Sequence, residues 1–320
     1  MFNYFNNYMI NKYRFSVWTP TYNRAEFLNR LYLSLVNQTF NNFEWIIIDD
    51  GSTDNTSEII NNFIMENKLK SIRYIQKENG GKHTAWRIAT NEFKANYVVT
   101  IDSDDTLEPR ALEIFDKEWS KLEKSSIYNN FWEIKGRTID EKGKLIGNPL
   151  PKRIFDTTND RLIYKYRIEG EMHACRKTCV LKNEARVPDN FTFENLCSNF
   201  PEGIRWSNAG KLYKSRFIEE NIRTYYTDAT DTLTKSNIKN RSAKKTYNNL
   251  ITAKYSLEIS RNSMLRWDKI SYIKNIIVLL YTSMCLSLNP IKILSTNYLL
   301  DRGLLLLLYV PTYLLFKIRG

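Results

Sequence analysis

The sequence predicts an α/β protein: a largely parallel sheet over its first two thirds, followed by a helical carboxyl-terminal extension. Three observations predict it. Short β-branched and aromatic runs alternate with segments whose apolar residues recur at helical spacing, and the runs end in turns rich in Asp, Asn and Gly. After Thr227 the alternation stops, and long apolar runs set among Lys and Arg take over.

Taken in order, Phe15 to Thr19 (FSVWT) reads as a strand and PTYNR as a turn, before Leu28, Leu31 and Leu35 trace a helix. Trp45 to Asp49 (WIIID) is a second buried strand, closed by the turn DDGSTD and followed by a helix carrying Ile59, Ile60, Phe63 and Ile64. Ile72 to Gln76 is a third strand, then NGGKH, then a helix through Ala85 to Phe93. The fourth strand is YVVTI, Tyr97 to Ile101, and Leu112, Phe115, Trp119 and Leu122 form the apolar stripe of the helix after it. In such sheets ligands bind outside the carboxyl ends of the strands, so PTYNR, DDGSTD and DSDD share one edge.

The fourth strand runs straight into Asp102, Asp104 and Asp105. Carboxylates this close repel one another, and a hard cation such as Mg²⁺ or Mn²⁺, which keeps positions open for substrate phosphates, resolves the repulsion. A solvated turn capping the next helix is the competing reading, since Asp favours caps and Pro109 suits a first helical turn. Tyr22 alone reads as packing or as a base-stacking platform, and Asp50 before Gly51 as turn chemistry. Loops sharing one crevice favour a nucleotide pocket.

Composition bounds the alternatives. The chain has 320 residues, of which 42% are apolar, so it buries a core. Its formal net charge of +12 is clustered: Lys235 to Lys274 holds ten Lys and Arg against Glu258 and Asp268. A clustered basic segment suits an anionic surface, either nucleic acid or phospholipid head groups. Cys175, Cys179, Cys197 and Cys285 are too few for a disulfide scaffold and lack zinc-site spacing, which predicts reduced thiols in cytoplasm. The amino-terminal MFNYFNNYMINKYR has no apolar core or cleavage site of a secretory signal.

TPTYNR (Thr19 to Arg24), IIIDDGSTD (Ile46 to Asp54), NGGKH (Asn79 to His83) and DSDD (Asp102 to Asp105), in this order and spacing, resemble the nucleotide-sugar domain of family-2 glycosyltransferases. These are inverting enzymes on the GT-A fold, and the resemblance extends from about Phe15 to Tyr226. It implies that Pro20, Thr21, Tyr22 and Asp50 hold the uracil and ribose of a UDP-sugar, with Arg24 and Ser103 in the same nucleotide-sugar site. It also implies that Asp102 and Asp104 are the DxD motif that binds Mn²⁺ or Mg²⁺, and that Lys82 and His83 lie near the phosphates or sugar. His83 has an alternative as a helix-start surface residue. Trp86 and Arg87 stand where many relatives carry a smaller residue and Asn, which puts the sugar-facing wall in doubt.

From Ser125 to Tyr166 the pattern weakens to a strand pair with a Gly-bearing turn, read as acceptor-side structure. GEMHACR, Gly170 to Arg176, resembles the segment lining the acceptor side, and its His173 is a contact to donor or acceptor or a satisfied structural histidine. An inverting transferase needs one general base to take the acceptor proton. Glu202, in FPEGIRW, is the candidate; it stands in a Pro-Glu-Gly sequence where the common pattern is a Glu-Asp pair, which makes Glu194 its rival. Capping of the helix that follows is the structural alternative for Glu202.

In the extension, Ile276 to Leu288 and Leu304 to Phe316 are strongly apolar, but neither reaches the roughly 20 residues needed to span a bilayer. Pro311 interrupts the second, and Asp301 and Arg302 precede it. Helices lying in the membrane interface, with the basic segment on anionic lipid, fit this pattern; packing on the catalytic domain is the alternative.

The resulting expectation is a catalytic domain over 1–226, with a nucleotide half at 15–125 and an acceptor half at 126–226, and a membrane-associating region over 227–320. The resemblance implies transfer of a sugar from a UDP-sugar to a polysaccharide or lipid-linked acceptor at the inner face of the plasma membrane. Asn-, Lys- and Ile-rich usage suggests AT-rich bacterial coding, hence surface polysaccharide of the capsule or O-antigen kind. A nucleic-acid-binding protein would leave the acidic strand end unexplained, so no nucleic-acid partner is expected. A nucleotidyltransferase usually carries a Gly-rich basic phosphate loop, which PTYNR does not resemble.

Overall fold

The computed structural model describes residues 12–185, 202–228, 243–294 and 299–319. Glu194 and Cys197 lie outside them, as do Lys235, Lys239 and Arg241 of the basic segment. The chain divides into two compact units, the first made of residues 1–157, 168–184 and 212–229, and the second of 158–167, 185–211 and 230–320.

The first unit begins with β1 (Phe15–Thr21), α1 (Ala25–Val36), β2 (Phe43–Asp49), α2 (Thr56–Glu66), β3 (Ile72–Gln76), α3 (Lys82–Glu92) and β4 (Tyr97–Thr100). These match the expected alternation because β1, β2 and β4 are buried by helices and therefore read as continuous apolar runs. Order β3-β2-β1-β4 is parallel throughout, and the register sets Thr21 beside Asp49 and Asp49 beside Gln76 at one carboxyl edge. Helix α3 starts at Lys82, three residues before the expected Ala85, because Gly81 at φ 91° turns the chain and its carbonyl accepts from Thr84 N at 2.9 Å. Lys82 and His83 therefore belong to a helical first turn rather than to a loop.

Beyond β4 come β5 (Thr106–Leu107), α4 (Ala111–Glu123), β6 (Phe131–Asp140), β7 (Ile154–Thr157), β8 (Met172–Lys177), α5 (Thr178–Asn183) and, after the helix α6 (Glu202–Leu212) of the second unit, β9 (Lys214–Tyr225). The sheet continues through β4-β8-β6-β9-β5 with β7 also on β9, and is mixed here: β8 is antiparallel to β4 and β6, whereas β9 runs parallel to β6. The Gly-bearing turn forms, with Asp140 N donating to Lys144 O at 2.8 Å, but the returning strand shrinks to one bridge between Ile139 and Leu145. Glu133 explains why β6 is central and not half of a solvated hairpin. It is fully buried and accepts from Arg176 Nε at 3.0 Å and Ser215 Oγ at 2.7 Å, so the neighbouring strands satisfy the charge that would otherwise demand solvent.

The core of this unit gathers Val17, Leu31, Trp45, Val99, Phe115, Trp119 and Ile222. Trp119 stacks on Tyr97 with ring centroids 4.3 Å apart and donates from Nε1 to Cys175 Sγ at 3.3 Å. Burial pushes the Cys175 thiol up, which keeps it protonated and inert.

In the second unit, α7 (Ala243–Ile259), α8 (Arg261–Trp267), α9 (Lys269–Cys285), α10 (Pro290–Ile293) and α11 (Leu299–Arg319) share a core of Leu250, Leu257, Met264, Ile276, Leu279, Leu280 and Leu305. Asp268 caps α9 by accepting from Ser271 N at 3.2 Å and Ser271 Oγ at 2.6 Å. Asp301 is not a charge flanking an apolar run. It sits inside α11, buried, and accepts from Arg261 Nε at 2.9 Å and from the Tyr272 hydroxyl, tying α11 to α8 and α9. The first apolar run thus packs inward through Ile276, Leu279 and Leu280, while the second leaves Leu306, Leu307, Val310 and Leu314 exposed. Among the described residues no helix is long and apolar enough to cross a membrane.

Candidate active site

The carboxyl edge of β1 and β2 is organised by short polar side chains that tie the first two loops together. Asp49, fully buried, accepts from Ser52 N at 2.8 Å, Ser52 Oγ at 2.6 Å and the Tyr74 hydroxyl at 2.7 Å. Asn23, in the left-handed region at φ 49°, donates its backbone N–H to Ser52 Oγ at 2.9 Å and accepts from Thr53 N at 2.8 Å. Asp54 reaches back to Ala25 N at 3.1 Å. Gly51, at φ 80°, cannot be replaced cheaply, because a Cβ there would stand 2.9 Å from Asn79 N and 3.0 Å from Lys77 O.

Asp50 is the junction of this edge with the NGGKH loop. Its carboxylate accepts from Gly80 N at 3.0 Å, from Gly81 N at 2.7 Å and from Lys77 Nζ, while its carbonyl accepts from Asn79 Nδ2 at 3.0 Å. Asp50 therefore holds the loop that presents Lys82. A carboxylate offers about four lone-pair positions, so one more donor can be accepted here.

The acidic turn after β4 separates its three aspartates. Asp102 is half-exposed and accepts from Lys82 Nζ at 2.8 Å. Burial opposes its charge, but Lys82, together with Arg223 and His173, holds the carboxyl below its ordinary range. Asp104 is pushed up by burial and by the neighbouring Asp102 charge. Asp105 is buried and tied to β9: Tyr226 N donates to it at 3.2 Å, and Arg223 forms an ion pair with it, Nη1 lying 3.5 Å away. Burial outweighs Arg223 and, with Asp102 and Asp104 adding to it, pushes Asp105 up to about 7. It does not cap α4, whose cap position is Arg110.

Arg30 closes the turn from the α1 side. It donates to the Asp104 carbonyl, pairs with Asp228 at 2.6 Å and lies 4.0 Å over the Tyr226 ring. Lys77, Arg30 and Arg223 are the residues that sequence reasoning missed. Only the Lys77 position, beside ENGG, carried a local signal; Arg223 meets Asp105 across more than a hundred residues.

The other expected residues fall as follows. Thr21 is buried and Tyr22 is exposed, so Tyr22 is not core packing. Pro20 lies near the end of β1 in register with Ile48, and Arg24 lies over the Phe27 ring at 5.9 Å. Ser103 is buried within the acidic turn. His83 is also buried, which removes its reading as a surface residue. His173 is buried on β8, its Nε2 making no hydrogen bond among the described residues, and burial, with Arg223 and Arg176, keeps its ring neutral against the pull of Asp102. Glu202 is the first residue of α6, in the second unit.

Among the described residues no three His, Cys, Asp or Glu side chains form a closed metal cage. Two repelling carboxylates at an accessible strand end nevertheless suit Mg²⁺ or Mn²⁺, which bind through one or two carboxylates and take the remaining ligands from water and substrate phosphates.

Fold and site together define a class: a domain of the GT-A type. Its parallel half ends in a turn acid and an Asp-Ser-Asp-Asp run, beside a basic loop. The chain belongs to glycosyl transferase family 2, whose family model matches residues 16–179. Chondroitin synthase of Pasteurella multocida is 37% identical over 134 residues, which is 42% of this chain and 13% of that protein, so the chain spans a small part of that relative. The fold is similar to S. aureus TarS 1–349 in complex with UDP-GlcNAc, with a TM-score of 0.53 at 19% identity, covering 91% of this chain and 78% of that one. It is also similar to a mannosyltransferase from Pyrobaculum calidifontis in complex with GDP-Man and Mn²⁺, with a TM-score of 0.50 at 16% identity, covering 95% and 83% of the two chains.

Proposed function

We propose that this domain transfers a sugar, with inversion, from a UDP-sugar to a saccharide or lipid-linked acceptor during assembly of a bacterial cell-surface polysaccharide. The observation that carries this reading is that Asp50 holds the Gly80-Gly81 loop by its backbone N–H groups while the next residue, Lys82, pairs with Asp102 at 2.8 Å. In this reading Pro20, Thr21, Tyr22 and Asp50 receive the base and ribose, Arg24, Lys82, His83 and Ser103 face the diphosphate and sugar, and Asp102 and Asp104 hold Mn²⁺ or Mg²⁺. Such a cation offsets the charge that develops on the departing nucleoside diphosphate. Glu202 takes the acceptor proton as general base. The chondroitin synthase relative supports polysaccharide as the product class, and the UDP-GlcNAc-bound neighbour supports uridine as the nucleotide.

A panel of nucleotide sugars tests the donor. With Mn²⁺ present, UDP-sugars and UDP are expected to raise the melting temperature, by several degrees at 100 times the dissociation constant. Stabilisation by a GDP- or dTDP-sugar but not by UDP would overturn the donor assignment.

We further infer peripheral attachment to the inner face of the plasma membrane. The apolar side chains exposed on α11, with Arg302 and Lys317 on the same helix and Arg266, Lys269 and Lys274 exposed nearby in sequence, fit insertion at an anionic lipid interface. The full chain is expected to co-sediment with phosphatidylglycerol vesicles and to be released by salt, whereas removal of 299–320 abolishes binding. Equal recovery of both forms in the supernatant would remove this part of the reading.

A further inference from the structure

We propose that Arg30 is a positioning residue for the cation site: it locks the peptide between Asp104 and Asp105 and so sets the spacing of the Asp102 and Asp104 carboxylates before any cation arrives. This rests on the reading of those two aspartates as the cation ligands.

That peptide is held at both ends. Its carbonyl, on Asp104, accepts from Arg30 Nη2, and its N–H, on Asp105, donates to the Asp102 carbonyl at 3.2 Å. The peptide unit is planar and includes the Cα of Asp104, so holding both of its polar ends fixes the point from which the Asp104 side chain leaves the turn. Charges on Asp102 and Asp104 repel each other, which favours a turn that opens. Arg30 opposes that opening.

The guanidinium is itself closely constrained. Its backbone sits in α1, which is packed inward through Phe27, Leu28, Leu31 and Tyr32. Its planar group lies 4.8 Å from the centre of the Phe27 ring and 4.0 Å from that of Tyr226. Nη1 and Nη2 donate to the two carboxylate oxygens of Asp228 at 2.6 and 3.0 Å. Ring contacts and a rigid fork of donors together define one orientation, in which Nη2 also meets the Asp104 carbonyl; an ammonium supplies no such fork. Tyr226 takes part twice, because its N–H donates to the Asp105 carboxylate at 3.2 Å. Residues 226–228 thus brace both the guanidinium and the turn it holds. Stability alone does not account for the arrangement, since Asp228 is 56% exposed and an ion pair with so exposed a partner adds little to folding.

The test is a Mn²⁺ titration of the full-length protein without nucleotide, read by the electron paramagnetic resonance of free Mn²⁺, on wild type, Arg30→Met, Arg30→Lys, Asp228→Asn and Asp104→Asn, with each melting temperature measured alongside. Arg30→Met is expected to bind Mn²⁺ about tenfold more weakly, the loss typical when a group that orients a metal ligand is removed, with a melting temperature close to wild type. Arg30→Lys, which keeps the charge but not the fork, is expected to lose as much; wild-type binding there would overturn positioning in favour of charge alone. Asp228→Asn, outside the acidic turn, is expected to show a smaller loss in the same direction. Should Arg30→Met fail to fold, Arg30→Lys and Asp228→Asn decide by the same measure. Unchanged or tighter Mn²⁺ binding in the Arg30 variants, while Asp104→Asn loses it, overturns the proposal alone. Wild-type Mn²⁺ binding in Asp104→Asn overturns the cation-site reading beneath it.

Discussion

Asp102→Asn is expected to lower UDP affinity in the presence of Mn²⁺ by about 100-fold or more, close to 2.7 kcal/mol, with little change in melting temperature. Asp102 is half-exposed, and its pair with Lys82 is the group that a cation would replace. An exposed ion pair contributes about 0–1 kcal/mol to folding, so losing it should not unfold the domain. Calorimetry of UDP binding with and without Mn²⁺ decides the matter: equal affinities in variant and wild type would sink the assignment. Asp105→Asn should behave differently, since that carboxylate is buried against Arg223 and Tyr226 and belongs to the junction with β9.

Glu202→Gln should retain donor binding and lose transfer by about 10²-fold or more, the usual contribution of a positioned general base. The substitution keeps the shape and removes only the ability to accept a proton. Normal turnover in Glu202→Gln with a comparable loss in Glu194→Gln would move the role to Glu194. Glu202 also occupies the acidic first turn of α6, where a carboxylate favours the helix dipole. A melting-temperature shift without loss of transfer would leave it that role only.

These two experiments address sites of different legibility. Asp102 was legible because a strand of consecutive β-formers ending in an acidic run is a local pattern. The lone carboxylate of FPEGIRW was not, since a short Pro-Glu-Gly sequence is equally a helix start. The β1 to β4 alternation was readable, because the buried strands carry mostly apolar and β-branched residues; the two-residue β5 was not. The β6 to β9 region resisted, because Glu133, Lys135 and Arg137 alternate along β6 as a solvated strand would, while Glu133 and Arg137 are in fact fully buried. Their counter-charges come from other strands: Arg176 for Glu133 and Glu219 for Arg137.

By itself the sequence determined the strand-and-helix order of the nucleotide half, the shared edge of its loops and the acidic cluster at Asp102. Period, β-propensity and turn chemistry act between neighbours and need no tertiary context. The tertiary structure alone decided the surroundings of each acid. It turned Asp50 toward Gly80 and Gly81, left Asp102 reachable beside Lys82, and buried Asp105 against Arg223. It likewise took Asp301 inside the helical unit against Arg261 and Tyr272 while leaving the α11 leucines exposed. The reason is common to all of these: the partner that sets each charge's environment lies far away in the chain, and only folding brings the two within hydrogen-bonding distance.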